Sequence, residues 1–285
     1  MKILVTGANG FVGSYFSKNY AQKYGIKTFS FLKDDSQSLY VKDIDVVLHL
    51  SALVHQIGGA SAEEYERVNV EQSLFLANKA KKSGIKQFIF MSTVKVYGEE
   101  SKQAYDELST CFPKDEYGKS KLKAERELQK LESEDFKVSI IRTPVVYGYG
   151  VKANIKNLIY LVDKIFILPL GGIDNRRTMV YVGNLCAFID TIIQTKEAGI
   201  FLVGDDTPLS TTHLIELIAI AKKKKIVLLR VGLLGALLKW LKPSFYKRLF
   251  ENLEVNNTQS KKRLGFANPY TTQEGIRLMI QGEKQ

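Results

Sequence analysis

Short apolar runs recur through the first half of the chain, each bounded by turn residues and separated from the next by a stretch of helical periodicity. Residues 2–6, 27–32, 46–50, 87–92 and 137–142 have the length and near-unbroken apolar character of strands buried on both faces. Strands that alternate with helices need crossovers, so the pattern predicts an α/β fold built on a doubly wound parallel sheet. Beyond Gly148 the order changes. A helical pattern over 154–162, an apolar run ending at Pro169 and a Gly171-Gly172 turn announce a smaller, mostly helical C-terminal lobe. Strand-like 179–182 and 200–203 are expected to return to the first sheet or its edge, and Ser210 offers an N-cap to a helix running through Ala221. The apolar stretch 231–241, followed by Lys242 and Lys247-Arg248, reads as a buried helix of the smaller lobe, with a position on a membrane surface as the alternative. Neither an internal repeat nor a low-complexity linker separates the lobes, which are expected to share one cleft.

Composition changes this picture little. A chain of 285 residues with 45% hydrophobic and 25% charged content can bury a full core. Cys111 and Cys186 stand far apart, so neither a disulfide framework nor a metal site is indicated, in keeping with a reducing cytoplasm. No run reaches the roughly 20 apolar residues that span a bilayer, and the first apolar run breaks at Gly7 without a cleavage pattern, which argues against a signal peptide and stable membrane insertion. The net charge of +11 favours anionic partners. Its excess is mostly lysine, as in Lys222-Lys223-Lys224-Lys225, and reads as a solvated face. No interleaving of basic and aromatic residues suggests nucleic-acid binding.

The chemistry is concentrated in three places. Lys2-Ile3-Leu4-Val5-Thr6 leads directly into Gly7-Ala8-Asn9-Gly10-Phe11-Val12-Gly13 and then a helix. Glycines there allow a sharp turn, close approach of a pyrophosphate and tight packing of the helix, whose positive end holds the phosphate. The second place is Ser92-Thr93-Val94-Lys95-Val96-Tyr97-Gly98, which sets the Thr93 hydroxyl at the carboxyl end of a buried strand. The third is Tyr117 and Lys121, four residues apart and therefore on one helical face. A phenol of pKa about 10 is a poor base at neutral pH, and a neighbouring ammonium would favour its phenolate.

Together these stretches resemble the extended short-chain dehydrogenase/reductase superfamily (the NAD-dependent epimerases and dehydratases), and the resemblance covers essentially the whole chain. Leu48-His49-Leu50-Ser51-Ala52-Leu53-Val54-His55, Val146-Tyr147-Gly148-Tyr149-Gly150-Val151-Lys152-Ala153-Asn154 and Asn175-Arg176-Arg177-Thr178-Met179-Val180-Tyr181-Val182 resemble the bacterial subgroup of UDP-N-acetylquinovosamine-forming 4-ketoreductases and UDP-N-acetylhexosamine 4-epimerases. The resemblance implies a dinucleotide-binding lobe over 1–150, joined by 177–204, and a substrate-binding lobe from 151–176 and 205–285. It implies catalytic Thr93, Tyr117 and Lys121. Cofactor contacts are expected from Gly7, Asn9, Gly10, Phe11, Val12, Gly13, Leu32, Lys33, Leu50, Ser51, Ala52, Asn69, Tyr117, Lys121, Pro144 and Val146, with Asn69 preceding the helix that lines the pocket. Substrate contacts are expected from Thr93, Tyr147, Asn154 and Arg177, the last on a diphosphate. Arg176 is open to an internal ion pair and Arg142 to a structural role. His49 reads as a satisfied core residue, and neither it nor His55 is expected to bind metal or act as a base.

The activity so implied is NADPH-dependent reduction of the C4 keto group of a UDP-4-keto-6-deoxy-N-acetylhexosamine, for surface polysaccharide synthesis. The alternative is a 4-epimerase of UDP-N-acetylhexosamines or UDP-glucose with retained NAD(H). A remoter one is a non-catalytic nucleotide- or RNA-binding module. Dehydration is disfavoured, because Val94-Lys95 stands where dehydratases carry Asp-Glu. Phe31-Leu32-Lys33 lacks the acid that NAD-preferring members use on the adenosine ribose, which leans towards NADP(H), although a two-residue slip would bring Asp34 into that role. A homodimer with a four-helix contact is expected from the resemblance.

Overall fold

The computed structural model describes residues 1–34, 39–54 and 60–282, so His55 lies outside the described residues. The chain runs β1 (Lys2–Thr6), α1 (Phe11–Tyr20), β2 (Gly25–Phe29), β3 (Val46–His49) and α2 (Ala62–Tyr65), which continues through a π-helical turn (Glu66–Glu71) into α3 (Gln72–Lys82). There follow β4 (Gln87–Thr93), α4 (Glu116–Gln129), β5 (Lys137–Thr143), β6 (Val145–Tyr147), α5 (Ala153–Lys164), β7 (Ile167–Leu168), β8 (Met179–Tyr181), α6 (Val182–Thr195) and β9 (Gly199–Leu202). The remainder is α7 (Thr211–Ala221), β10 (Val227–Leu228), α8 (Gly232–Leu241), α9 (Pro243–Phe250), α10 (Thr258–Leu264) and α11 (Thr272–Gln281).

Six strands form one parallel sheet in the order β2-β1-β3-β4-β5-β9. Strand side chains alternate between faces, and both faces are covered. Ile3, Val5, Leu48, Ile89 and Ile141 enter a core with Phe16 of α1 and Leu185 and Ile189 of α6. Leu4, Val47, Phe88, Phe90 and Ile140 face Leu76 of α3 and Leu128 of α4. Burial on both sides explains why these strands read as continuous apolar runs.

Three expectations need correction. β2 ends at Phe29, short of residue 32, because the chain closes a turn there: the Asp34 carboxylate accepts from Ser30 N–H (2.8 Å), and the N–H groups of Lys33 and Asp34 donate to Ser30 O (3.0 and 2.8 Å). β9 does join the sheet edge, but β8 pairs in parallel with β6 in a separate two-stranded ribbon. Pro144 has no N–H and interrupts the chain between β5 and β6, which splits the ribbon from the sheet. Finally, α8 is not a buried helix. It leans on α9 near Gly235, whose neighbours are Tyr246 and Phe250, and leaves Leu237, Trp240 and Leu241 52%, 81% and 57% exposed. Among the described residues no helix is long and apolar enough to cross a membrane.

Candidate functional site

From β1 the chain crosses to β2 on one side and then to β3 on the other, so the connections diverge and leave a crevice at the carboxyl ends of β1 and β3. The first glycine turn lies there. Gly7 has φ +72°, and a Cβ on it would stand 2.7 Å from Ser51 N and 2.9 Å from the Leu50 carbonyl carbon, which only glycine avoids. A Cβ on Gly13 would fall 2.2 Å from Gly7 O, so this third glycine lets α1 press against the turn. Gly10 is the N-cap of α1, with no side-chain cap and no acid in the first turn. A bare helix end beside a backbone cradle fits a pyrophosphate. Asn9 is exposed beside it, Val12 packs on the core, and the Phe11 ring lies against Gly148. Leu32 is 96% exposed on the turn after β2, and Lys33 is also exposed. Among the described residues no group of three His, Cys, Asp or Glu side chains is placed to hold a metal ion.

Helix α4 brings the second and third motifs together. The Asp115 carboxylate caps it by accepting from Gly118 N–H (2.8 Å) and forms an ion pair with Lys95, in the single 3₁₀ turn Val94–Val96 that follows β4. A Cβ at Gly118 would sit 2.9 Å from Lys95 O, so this glycine allows the helix to close on the strand end. Behind it, the Arg142 guanidinium of β5 forks onto Glu125 of α4 (2.6 to 3.2 Å) and donates to the Tyr97 hydroxyl (2.8 Å), while Ser92 of β4 donates to the same carboxylate. Arg142 is therefore a buried structural clamp.

The clamp sets Tyr117 beside Thr93 at the end of β4, with its ring 6.2 Å from that of Tyr65. Burial, followed by the negative charge of Asp115, pushes the Tyr117 phenol above its ordinary range, and a hydrogen bond from Thr93 draws it the other way. Lys121 does not lower it, contrary to the expectation from spacing. Its side chain is only 1% exposed, with Nζ 3.8 Å from the centre of the Phe90 ring, and burial pulls it down to about 7 against the attraction of Glu125.

A chain of hydrogen bonds stiffens the floor. Ser51 N–H donates to Thr6 Oγ1 (3.3 Å), which lies 2.6 Å from His49 Nδ1; His49 Nε2 lies 2.9 Å from Ser73 Oγ, whose proton goes to Asn69 O (2.8 Å). The directions agree if His49 carries its proton on Nε2 and is neutral, as expected for a group that burial, aided by the Lys121 charge, takes down to about 3. Asn69 holds Leu53 by its N–H (2.8 Å) and its carbonyl (3.0 Å) and donates to Ser120 of α4 (3.0 Å). It lies inside the π-helical turn, not before the helix, and so pins the loop carrying Leu50, Ser51 and Ala52 to the helix of Tyr117.

Thr93 opens on a cleft of about 400 Å³, whose walls include Pro144, Val145, Asn154, Arg177, Arg248 and Leu249. Val146, next along β6, is half-buried against the core instead. The Arg177 guanidinium donates to Glu251 O (3.0 Å) at the end of α9, and burial and then the charge of Arg248 bring its pKa down to about 10. Two guanidinium groups held together in a partly buried cleft repel each other, and a diphosphate would relieve that. Arg248 was not singled out from sequence, since a basic pair after an apolar stretch gives no hint that one member turns inward. Arg176 forms a fork onto Glu254 (2.7 Å twice). Tyr147 is not a sugar contact: it is fully buried and donates to Asp205 (2.6 Å), a carboxylate also held by Asn184 Nδ2 (2.8 Å) and Tyr181 N–H (3.1 Å).

The model of the NAD dependent epimerase/dehydratase family matches residues 3–204. The chain is similar to the UDP-glucose 4-epimerase of Vibrio cholerae, 35% identical over 98% of this chain and 94% of the relative. It is also similar to the N-acetyl-alpha-D-glucosaminyl-diphospho-ditrans,octacis-undecaprenol 4-epimerase of Escherichia coli O157:H7, 27% identical over 99% of this chain and 95% of the relative. Among solved structures, the UDP-N-acetylglucosamine 4-epimerase from Methanobrevibacter ruminantium M1 in complex with UDP-N-acetylmuramic acid shares the fold, with TM-score 0.81 and 20% identity over 98% of this chain and 97% of that one.

Proposed function

The chain belongs to the NAD dependent epimerase/dehydratase family, and from that membership we propose that it is a 4-epimerase of a UDP-sugar, moving a hydride and a proton at C4. The observation that carries this reading is Thr93, hydrogen-bonded to Tyr117, in the wall of a cleft that Arg177 and Arg248 also line. The glycine turn and the amino end of α1 suit the pyrophosphate of a nicotinamide dinucleotide, and the bound ring supplies or accepts the hydride. Arg177 and Arg248 grip the diphosphate of the sugar nucleotide. Thr93 donates to the C4 oxygen and fixes its approach. Tyr117 passes one proton to and fro at the C4 oxygen: as the phenolate it takes the C4 hydroxyl proton in the oxidative half-reaction and, as the phenol so formed, returns it to the C4 keto oxygen in the reductive one, with Lys121 one turn away on the same face. Asn69 and the Arg142–Glu125 clamp keep these groups in register.

The share and level of identity to a 4-epimerase favour epimerisation. A second reading, net reduction of a UDP-4-keto-6-deoxy-N-acetylhexosamine with NADPH, is supported by the apolar wall of Val94, Pro144, Leu158 and Leu214, which would seat a C6 methyl group. Incubation with UDP-glucose or UDP-N-acetylglucosamine should give galacto-configured product without net change in the nicotinamide. Stoichiometric loss of reduced-nicotinamide absorbance with the 4-keto-6-deoxy sugar, and no epimerisation, would select the reductase. Tyr117→Phe is expected to lower turnover about 10²- to 10⁴-fold with nucleotide binding preserved; undiminished turnover would remove Tyr117 from its role.

A further inference from the structure

The exposed face of α8 belongs to no part of the candidate site, and it is chemically unusual. Leu237, Trp240 and Leu241 follow i, i+3, i+4 spacing, so they form one stripe on the helix, and all three are exposed. Upstream, Val227 and Leu229 alternate along one strand face, and Val227 is paired with Ile167 of β7; these three are exposed as well. Lone apolar side chains on a surface need no explanation, but a stripe of three along one helix face does.

The charges along this stretch of the chain are one-sided. Residues 222–250 hold nine basic side chains, namely the four lysines at 222–225, Arg230, Lys239, Lys242, Lys247 and Arg248, and no acidic one, although the whole chain has a net charge of only +11. Asp163 engages Lys222 (2.9 Å) and Lys224 (3.4 Å), and Glu100 engages Lys247 (3.6 Å); Lys239, over the Tyr246 ring (5.6 Å), shares a pocket wall with Glu99, Glu100 and Glu251, and with Lys242 it brackets Trp240 in sequence on an element with no acid of its own. Apolar side chains with a tryptophan, rimmed by lysine and arginine, are the pattern of a helix that lies in the headgroup region of a bilayer. A second copy of this chain is a poor occupant, because a two-fold contact would bring the same cations face to face.

We infer that the α8–α9 hairpin docks the protein on the surface of an anionic phospholipid membrane, with Leu237, Trp240 and Leu241 entering the headgroup layer and the flanking lysines on its phosphates. α9, against which α8 packs, also carries Arg248 and Leu249 to the cleft wall.

Trp240 is the only tryptophan of the chain, so its emission reads this surface directly. The full-length protein is titrated with vesicles of phosphatidylcholine and phosphatidylglycerol, and with vesicles of phosphatidylcholine alone. The expected result is a blue shift, protection from acrylamide and co-flotation with the anionic vesicles only, weakened by salt. Leu237→Glu with Leu241→Glu should abolish these signals, and Lys239→Gln with Lys242→Gln should weaken binding on the order of thirtyfold, each with wild-type circular dichroism and thermal midpoint. Unchanged Trp240 emission with anionic vesicles, or equal binding to both vesicle types, overturns the inference. So does a blue shift that depends on protein concentration without lipid, which would assign the face to self-association.

Discussion

Replacing Lys121 by Met should make the nucleotide-free protein more stable while destroying turnover. The ammonium is 1% exposed, and burial takes its pKa from the ordinary 10.5 to about 7. At about 1.4 kcal/mol for each tenfold change in proton affinity, keeping that charge in the folded state below pH 7 costs on the order of 5 kcal/mol. The sign with pH follows from linkage. Between about 7 and 10.5 the unfolded chain still binds the proton that the folded state has released, so the penalty is complete below pH 7 and fades as pH rises through that window. Met fills a similar volume without charge. Urea unfolding of both proteins across this range isolates the effect, because other titrating groups cancel in the difference. The variant should lead by a few kcal/mol at the acidic end and converge with the wild type towards pH 10.5. A variant that is less stable at every pH, by a constant amount, would refute the reading of Lys121 as a strained, desolvated cation.

Other substitutions separate the candidate site from its scaffold. Arg248→Gln should raise KM for a UDP-sugar about 10- to 100-fold with kcat within about twofold, as expected for a lost charged hydrogen bond equal in ground and transition states; a fall in kcat alone would place Arg248 elsewhere. Tyr147→Phe should cost about 1–3 kcal/mol in denaturant unfolding by depriving the buried Asp205 of one of its three donors. Its kcat/KM should stay within about twofold, and a specific rise in KM would restore Tyr147 to the substrate. Gly13→Ala should weaken dinucleotide binding by more than about tenfold in a calorimetric titration, because the new Cβ meets Gly7 O at 2.2 Å and pushes α1 off the turn; unaltered affinity would mean the turn does not hold the pyrophosphate.

What could be read from the sequence is what repeats over a few residues. Strands buried on both faces appear as apolar runs, so the parallel sheet was legible from residues 2–6, 46–50, 87–92 and 137–142, all of which are strands within a residue or so. The glycine turn was legible because backbone crowding acts within it and on the residue just beyond the neighbouring strand. Tyr117 and Lys121 share a face by helical geometry alone. The tertiary structure decided everything that depends on partners far along the chain. Only folding buries Lys121 over Phe90 and Tyr117 beside Asp115; only folding brings Asp205 to Tyr147 and turns Arg248 towards Arg177. The exposure of α8 was hidden for the same reason: its apolar stretch reads alike whether a neighbour covers it or solvent does, and no local period records which.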